Sequence, residues 1–409
     1  MLAHKIELKA TNKQKTYFNK ACGVARLAWN WGVYQWQEQY KNGEKPNGLE
    51  LKKQFNAKKK EEFPFVYEVT KYATQQPFIQ LQQSYNMFFK KQGGKPKFKK
   101  KGKSKDSFYI GGDQIQVIGK KVKIPNLGLV KLRENIRFDG KILNATVSKI
   151  ADKWFISFCI KPSMSYFEPC ENQASIGIDL GVKTLATFSN GTFVDSPKPL
   201  KQYLRKIKKL SRQLSKKVHS RKKGDKTPKS NNYKKHSLKL AKIHKKITDI
   251  RKNSLHKITT ALTDNFKYIS IENLNVKGMM ANHKLAKAIS DMGFYEFRRQ
   301  LEYKAKIKGN IINVIDRWFP SSKTCCSCDN IKKDLTLKDR TYKCQNCGIE
   351  IDRDFNASIN IDNQLPIVHR KVTPVKITAM DLGARLLNLT SIVEAGNKHQ
   401  INLVMSRFE

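Results

Sequence analysis

Two apolar segments that each end on one acidic residue constrain the fold of this chain most. They read SIGID over Ser175–Asp179 and YISIE over Tyr268–Glu272. Each predicts a buried strand with a carboxylate at its end. A carboxylate at the edge of a dry core is unfavourable unless a partner offsets the loss of water, and a divalent cation is a common partner. An Asp that caps a turn or pairs with a nearby Lys remains the alternative.

The charge of the chain indicates a polyanionic partner. It contains 80 Lys and Arg residues against 34 Asp and Glu, a net charge of +46. Self-repulsion on that scale destabilises a compact state, and binding to phosphates relieves it while releasing counterions. A membrane surface is a poorer candidate, because no apolar run reaches the roughly 18 residues that a spanning helix needs. The alternating start MLAHKIELKA predicts no signal peptide, so we expect a cytoplasmic nucleic-acid-binding protein.

Four cysteines form two C-x2-C pairs with 15 residues between the pairs: Cys325, Cys328, Cys344 and Cys347. This spacing is typical of a four-thiolate zinc ribbon, in which the metal is structural. Cys326 lies beside a ligand and is expected to point away. The other cysteines are scattered, which does not fit a secreted disulfide framework. A redox dithiol pair is the alternative, but no thioredoxin-like βαβ pattern surrounds the cluster.

The N-terminal part of the chain changes pattern twice. Residues 4–10 alternate and predict a strand, whereas residues 11–92 show helical periodicity with many aromatic residues, which we expect to form a core. Short alternating segments over 107–162 predict a small β-barrel, and its first strand would be residues 4–10, with the helices inserted. The basic run GGKPKFKKKGKSK, residues 93–105, predicts a solvated, partly disordered linker. A loop that becomes ordered on a phosphate backbone is the alternative.

The most basic region predicts a long helical hairpin over residues 198–262. Its first sixty residues, 198–257, contain 23 Lys or Arg residues against Asp225 and Asp249. Apolar residues keep a helical period on both sides of a loop that contains Pro228, so the hairpin has an apolar seam and a basic outer face. The imbalance of sign favours a polyanion outside the protein over internal ion pairing. Further on, residues 291–309 predict another helix.

A third acid follows the cysteine cluster. The segment IDRDFNASINI over 351–361 predicts a helix with Asp352 or Asp354 at its N-terminus, and a capping Asp is the simple interpretation. Asp179, Glu272 and Asp354 would come from neighbouring strands and an adjacent helix. Three such carboxylates can hold two Mg²⁺ ions about 4 Å apart and hydrolyse a phosphodiester without a nucleophilic side chain. No Ser-His-Asp set or phosphate-binding glycine loop is evident, which disfavours acyl transfer and nucleotide hydrolysis.

The ordered motifs of this chain resemble those of TnpB, the OrfB-type transposon-associated proteins related to type V CRISPR effectors. They are IGIDLGVKTLA, ISIENL, DRWFPSSKTC-x2-C, C-x2-C and DRDFNASINI, and the resemblance covers most of residues 1–361. It implies a multidomain α/β protein with a RuvC-like, RNase H-type nuclease core and an inserted zinc ribbon. The implied domains are a wedge β-barrel (1–10 and 104–163), a helical recognition domain (11–103), the nuclease (172–320 and 349–365), the ribbon (321–348) and a tail (366–409).

The same resemblance implies RNA-guided cleavage of double-stranded DNA beside a short transposon-adjacent motif. The implied partners are a guide RNA from the same element and the DNA target, with the protein a monomer on its RNA. Asp179, Glu272 and Asp354 fall on the family's catalytic, magnesium-binding positions, whereas Asp316 and Asp352 match motif residues that are not the catalytic acid. A guide-RNA-dependent DNA-binding regulator without cleavage and an accessory transposase protein remain alternatives. The presence of all three acids weighs against the first of them.

Candidate nucleic-acid contacts lie in three segments. Residues 71–82 align loosely with the part of the family that reads the adjacent motif, and the other segments are the basic run and the first helix of the hairpin. The candidate residues are Lys71, Gln75, Gln76, Lys97, Lys99, Lys100, Lys101, Arg205, Lys208, Arg212 and Lys216. Two departures from the family pattern, Cys326 and Asp329, concern the fine geometry of the ribbon and not its metal binding.

Overall fold

The computed structural model describes residues 1–163, 172–217, 229–336 and 338–366. The chain divides into two compact units, Met1–Tyr166 and Phe167–Glu409. Apart from residue 366, the predicted tail lies outside the described residues. No described helix is both long and apolar enough to span a lipid bilayer.

A seven-stranded sheet forms the centre of the first unit. Its strands are β1 (Leu2–Lys9), β2 (Ser107–Gly111), β3 (Gln116–Ile118), β4 (Lys121–Ile124), β5 (Gly128–Leu132), β6 (Gly140–Ile150) and β7 (Lys153–Pro162). Their order is β2-β6-β7-β1-β5-β4-β3, and all neighbours are antiparallel. β1 pairs with β7 from Leu2 opposite Ile160 to Leu8 opposite Trp154. The predicted N-terminal strand therefore joins the same sheet as the strands of 107–162.

Three α-helices separate β1 from β2 in the chain, α1 (Asn12–Lys41), α2 (Gly48–Glu62) and α3 (Tyr72–Phe89), with a short 3-10 helix (Pro64–Glu68) between α2 and α3. Thr11 begins α1 with a capping box, in which its side chain and that of Gln14 each accept the other's backbone N–H. The aromatic residues form a core between the helices, as expected. Trp36 stacks on Tyr85 with ring centroids 4.2 Å apart, and both residues are buried.

The basic run after α3 is held against α1 where a solvated linker was predicted. Lys99 N donates to Asn30 Oδ1 at 2.7 Å, and Asn30 Nδ2 donates to Lys99 O at 2.9 Å. Trp29 Nε1 donates to Lys97 O at 3.0 Å, and Lys99 Nζ lies 3.8 Å from the centroid of the Trp29 ring. The linker prediction is wrong for residues 97–99, because composition cannot reveal that their backbone finds partners on a distant helix.

A five-stranded sheet forms the centre of the second unit. Its strands are β8 (Ser175–Asp179), β9 (Ala186–Phe188), β10 (Phe193–Val194), β11 (Tyr268–Glu272) and β12 (Ile311–Ile315). The order is β10-β9-β8-β11-β12, in which β8, β11 and β12 are parallel while β9 and β10 are antiparallel. The central strands are buried on both faces, which explains why they read as continuous apolar runs.

Six helices surround or extend this sheet within the described residues. They are α4 (Pro199–Ser215), α5 (Asn231–Asn265), α6 (Val276–Ala281), α7 (Ala286–Met292), α8 (Phe294–Lys308) and α9 (Arg353–Asn363). α4 packs against α5 as the predicted hairpin. The helix predicted over 291–309 is interrupted, because Gly293 adopts a left-handed conformation with φ of +75° and separates α7 from α8.

The cysteine cluster lies between β12 and α9. Its hairpin is β13 (Thr341–Lys343) paired antiparallel with β14 (Glu350–Asp352). Tyr342 is fully buried and packs with Cys325, Cys344 and Leu335 in a small separate core. A core this small is typical of a module that depends on a metal for its stability.

Candidate active site and metal centre

Asp179 and Glu272 occupy neighbouring positions at one edge of the second sheet. Ile178 of β8 is paired with Ile271 of the parallel strand β11, and the two acids are the next residues along these strands. Both side chains are partly exposed, at the point where the buried strands end. In an open sheet with parallel strands, this carboxyl edge is where ligands bind.

Asp354 reaches the site from the first turn of α9. The helix is capped by Asp352, whose Oδ1 accepts the N–H groups of Asp354 at 2.9 Å and Phe355 at 3.0 Å. Because Asp352 supplies the cap, the side chain of Asp354 is left for other interactions. The sequence left open which of these two acids caps the helix, and the structure shows that it is Asp352.

The charges of Glu272 and Asp354 act on the third acid, Asp179. The pKa of Asp179 is raised to about 8, first by its loss of contact with water and then by the charges of Glu272 and Asp354, while Arg353 acts in the opposite direction. Repulsion between carboxylates in one site is the kind of strain that a bound cation relieves. The three do not form a closed cluster, however: among the described residues, only the four cysteines have ligand atoms that all lie within 4.8 Å of one another.

Two arginines account for the position of Asp354. Its Oδ1 accepts from Arg353 Nη2 at 2.8 Å and Nε at 3.1 Å, and Arg340 Nη1 lies 3.8 Å from its Oδ2. Arg353 is largely buried, and its Nη1 also donates to the carbonyl of Asp339 at 3.0 Å. The two arginines therefore connect the Asp354 carboxylate to residues 339–340 of the ribbon. A cation bound by Asp354 would share this carboxylate with the Arg353 guanidinium.

Ser321 is a site residue that sequence reasoning missed. Its Oγ donates to Glu272 Oε1 at 2.5 Å, and the residue is 5% exposed. Asn360 of α9 holds the same residue by donating from Nδ2 to Ser321 O at 2.8 Å. The serine lies within the PSSKTC motif, but nothing in the sequence distinguishes it from Ser322. Only the fold shows which hydroxyl reaches the acid.

The predicted zinc ligands come together. Cys325 Sγ lies 3.6 Å from Cys347 Sγ, and Cys328 Sγ lies 3.6 Å from Cys344 Sγ. A tetrahedral Zn²⁺ with Zn–S bonds of about 2.3 Å separates its sulfurs by about 3.8 Å, so the donor set fits this ion. Backbone N–H groups of Cys347 and Asn346 lower the pKa of Cys344 to about 6, which favours the thiolate that the metal needs. Cys326 is fixed through its backbone N–H, which donates to Asn356 Oδ1 at 3.0 Å.

The basic residues predicted on the hairpin share one surface. Arg205, Lys208, Arg212 and Lys216 are exposed and line a groove along α4 together with Lys209 and Gln213. The structure shows a concentrated positive face there, while their contact with nucleic acid remains a prediction.

The residues of the first unit that are predicted to contact nucleic acid differ in their exposure and in their partners. Lys71 is exposed and pairs with Asp113 at 3.2 Å, whose carboxylate also accepts from Tyr72 Oη at 2.6 Å. Gln76 lines a cavity, whereas Gln75 is half-buried. Lys97, Lys100 and Lys101 are exposed, and Lys99 is half-buried against Trp29.

Three family models match the chain. Residues 159–283 match the OrfB family of IS605-type elements, described as "Probable transposase", and residues 294–361 match the Cas12f1-like TNB domain. Residues 1–45 match a model described as a helix-turn-helix domain, although here they form β1 and the single long helix α1.

A relative from Escherichia coli (strain K12) decides the family. InsQ, provisionally named an RNA-guided DNA endonuclease, is 30% identical over 377 residues, which cover 88% of this chain and 91% of InsQ. This chain belongs to the TnpB family. A second member of the same kind, from Streptomyces pristinaespiralis, is 34% identical over 74% of both chains. The TnpB fold also appears in a solved relative: the chain in the cryo-EM structure of a Cas12f1–sgRNA–target DNA complex superimposes with a TM-score of 0.51 at 16% identity, covering 86% of this chain and 83% of that one.

Proposed function

We propose that this TnpB protein is an RNA-guided DNA endonuclease that hydrolyses phosphodiester bonds at Asp179, Glu272 and Asp354. The names of InsQ and the Streptomyces relative describe that activity, and the Cas12f1 chain was solved with a guide RNA and a target DNA. The observation that carries the proposal is the convergence of three acids from β8, β11 and α9, close enough for two of them to raise the pKa of the third. A strictly structural role does not call for such mutual repulsion.

The donor set fits magnesium, because Mg²⁺ prefers carboxylate oxygens and keeps several waters for contact with a phosphate. Bound there, two ions would lower the pKa of an attacking water and neutralise charge on the phosphate being cleaved. Side chains of the protein hold two of the three acids in position. Ser321 fixes Glu272, and Arg353 orients Asp354. The raised pKa of Asp179 means that this carboxyl holds a proton at neutral pH in the metal-free protein. It must lose that proton to serve as a ligand.

The architecture supports the domain assignment that accompanies this function. The order β10-β9-β8-β11-β12, with antiparallel β9 and parallel β11 beside β8, fits a RuvC-like, RNase H-type nuclease. The first unit then supplies the wedge, built on the seven-stranded sheet, and the recognition helices α1–α3. The proposed partners are a guide RNA from the same element and double-stranded DNA with a short adjacent motif, bound by one protein chain per RNA. The basic face of α4 is the proposed contact for their phosphates.

A plasmid cleavage assay with the co-purified RNA tests the proposal. The wild-type protein should cut a plasmid that carries the guide-matched target in Mg²⁺, and RNase treatment or EDTA should abolish cutting. Asp179→Asn and Glu272→Gln should each retain RNA and target binding in a gel-shift assay but lose cleavage by at least roughly a thousand-fold, since each removes a charged ligand. Asp249→Asn, an exposed acid on α5 paired with Lys245, is the matched control and should cut normally.

The same assay separates the alternatives. Target binding without cleavage by the wild-type protein would indicate a DNA-binding regulator. Strand joining without RNA would indicate a transposase. Normal cutting by Asp179→Asn would show that these acids are not the catalytic ligands, whatever the activity of the protein.

A further inference from the structure

A short loop follows β12 at the same edge of the sheet as the three acids. The last residue of β12, Ile315, is paired with Glu272, so Asp316 begins the loop beside Asn273. Arg317 Nε donates to Asn273 O at 3.1 Å, and Ser321 Oγ donates to Glu272 Oε1 at 2.5 Å. The loop 316–321 therefore contacts the Glu272–Asn273 corner on both sides of Trp318.

Trp318 is 83% exposed, more than any other aromatic residue that the structure describes. The other four tryptophans of the chain are buried or half-buried. Phe319, the next residue, is half-buried, so the two neighbouring aromatic residues of this loop differ in their contact with water. A large indole left in water beside an acidic site gains free energy when another flat apolar surface covers it.

Hydrogen bonds hold the backbone of the loop on both sides of the exposed indole. Trp318 N donates to Asp316 Oδ1 at 2.7 Å, and Phe319 N donates to Asp316 O at 3.3 Å. At the far end, the carbonyl of Ser321 accepts from Asn360, which is 2% exposed. A platform that is already rigid loses little entropy when a ligand covers it.

We infer that Trp318 stacks on a base of the DNA strand that enters the acidic site and thereby positions the phosphodiester to be cut. The inference rests on the proposed nuclease function and adds a substrate contact to it. Every base offers a flat π-face, so stacking can hold a single strand without reading its sequence. This suits an enzyme in which base pairing with the guide RNA reads the sequence. The surroundings suit a nucleic acid better than a second protein, because the exposed Arg317 donates to Asn273 at the same corner and brings positive charge for the flanking phosphates, whereas Arg298 beside it is paired with Glu302 at 2.8 Å.

The test is a double-mutant cycle that combines substitutions of Trp318 with the removal of single bases from the DNA, using the full protein with its RNA. The protein variants are Trp318→Leu, which removes the π-face, and Trp318→Phe, which keeps one. The DNA variants carry an abasic site at each position near the cut in turn. We expect Trp318→Leu to lower kcat/KM roughly ten-fold or more, as for the loss of one stacked base, and Trp318→Phe to recover most of it. At one position an abasic site should cost the wild-type enzyme a similar factor and cost Trp318→Leu almost nothing further.

Tyr295→Leu is the matched control, an aromatic of the same unit that is 71% exposed. It should change kcat/KM by less than about two-fold, and all three variants should melt like the wild type. The inference is overturned if the abasic profile of Trp318→Leu parallels that of the wild type at every position, or if Tyr295→Leu shows the same loss.

A binding measurement keeps this test independent of the cleavage activity. A single-stranded oligonucleotide with 2-aminopurine should show base stacking as quenched fluorescence on the wild-type complex, with less quenching on Trp318→Leu. If the wild-type protein does not cut but the quenching differs as expected, the proposed function fails while the stacking contact stands. Equal quenching by both proteins overturns the contact.

Discussion

Ser321 Oγ donates to Glu272 Oε1 at 2.5 Å, and Asn360 Nδ2 donates to Ser321 O at 2.8 Å, so Glu272 is connected to α9 through the first residue of the ribbon. On the other side of the ribbon, Arg353 holds Asp354 while also donating to the carbonyl of Asp339. Two of the three acids are thus oriented by residues that flank or belong to the ribbon. We therefore expect the order of the acidic site to depend on the folding of the ribbon.

Replacing Ser321 by Ala should loosen Glu272 without changing the net charge. A hydrogen bond to a charged group contributes about 1.5–3 kcal/mol, so we expect cleavage to fall by roughly ten-fold or more. Mn²⁺ affinity, measured by electron paramagnetic resonance without DNA, should weaken as well, since the carboxylate loses its fixed orientation. Ser322→Ala removes a hydroxyl from the neighbouring residue and serves as the control. Identical Mn²⁺ binding by the two variants would contradict the role assigned to Ser321.

The sequence predicts the strands that carry Asp179 and Glu272 because those strands are buried on both faces and leave an unbroken apolar signal. It also predicts the cysteine ligands, since a short spacing defines them. It cannot choose between Asp352 and Asp354 as the cap of α9, nor identify Ser321 or Arg340, because their roles depend on contacts between residues distant in the chain. The linker prediction was wrong for the same reason, because the hydrogen-bond partner of Lys99 is Asn30 on α1, far away in the chain.

The pKa of Asp179 gives the metal-free protein a defined pH dependence. The carboxyl ionises near pH 3.8 in the unfolded chain and near pH 8 in the folded one, so folding takes up a proton between these values. The free energy of unfolding that this group contributes therefore falls as pH rises through that window. Asp179→Asn should be more stable than the wild type at pH 7, by up to about 4 kcal/mol, with the difference shrinking toward pH 4. Urea unfolding without added magnesium measures it.

The same proton competes with the cation. Because Asp179 must ionise to bind Mg²⁺, the affinity for Mg²⁺ should rise with pH up to about 8, by up to roughly ten-fold per pH unit for one displaced proton. Asp249→Asn, which removes an exposed carboxylate, should follow the wild-type curve in both experiments. A flat affinity from pH 6 to pH 8 would mean that Asp179 is already ionised, against the prediction.

Cys326 and Cys328 provide a matched pair for the zinc site. Both are half-buried, but only Cys328 belongs to the four-sulfur cluster, while Cys326 is engaged through its backbone N–H. Mass spectrometry of the purified protein should find one zinc per chain in the wild type and in Cys326→Ser, and much less in Cys328→Ser. Since the ribbon flanks Ser321 and Arg353, Cys328→Ser should also weaken Mn²⁺ binding at the acids. Full zinc content in Cys328→Ser, or loss of zinc in Cys326→Ser, would show that the ligand set is different.

Gly177 controls how closely α9 approaches β8, and through it the position of Asp354. A Cβ at this residue would lie 2.1 Å from Ser358 O and 2.6 Å from Asp362 N, and both are backbone atoms that cannot move alone. Gly177→Ala should therefore push α9 away from the sheet, lower the free energy of unfolding by about 1–3 kcal/mol or more and weaken Mn²⁺ binding at the acids. Gly23→Ala is the control, because its Cβ on α1 would meet nothing within 4 Å, and it should stabilise the helix by up to about 1 kcal/mol. Calorimetry and Mn²⁺ titration of both variants check this. Wild-type stability in Gly177→Ala would mean that α9 has room to shift without disturbing the acidic site.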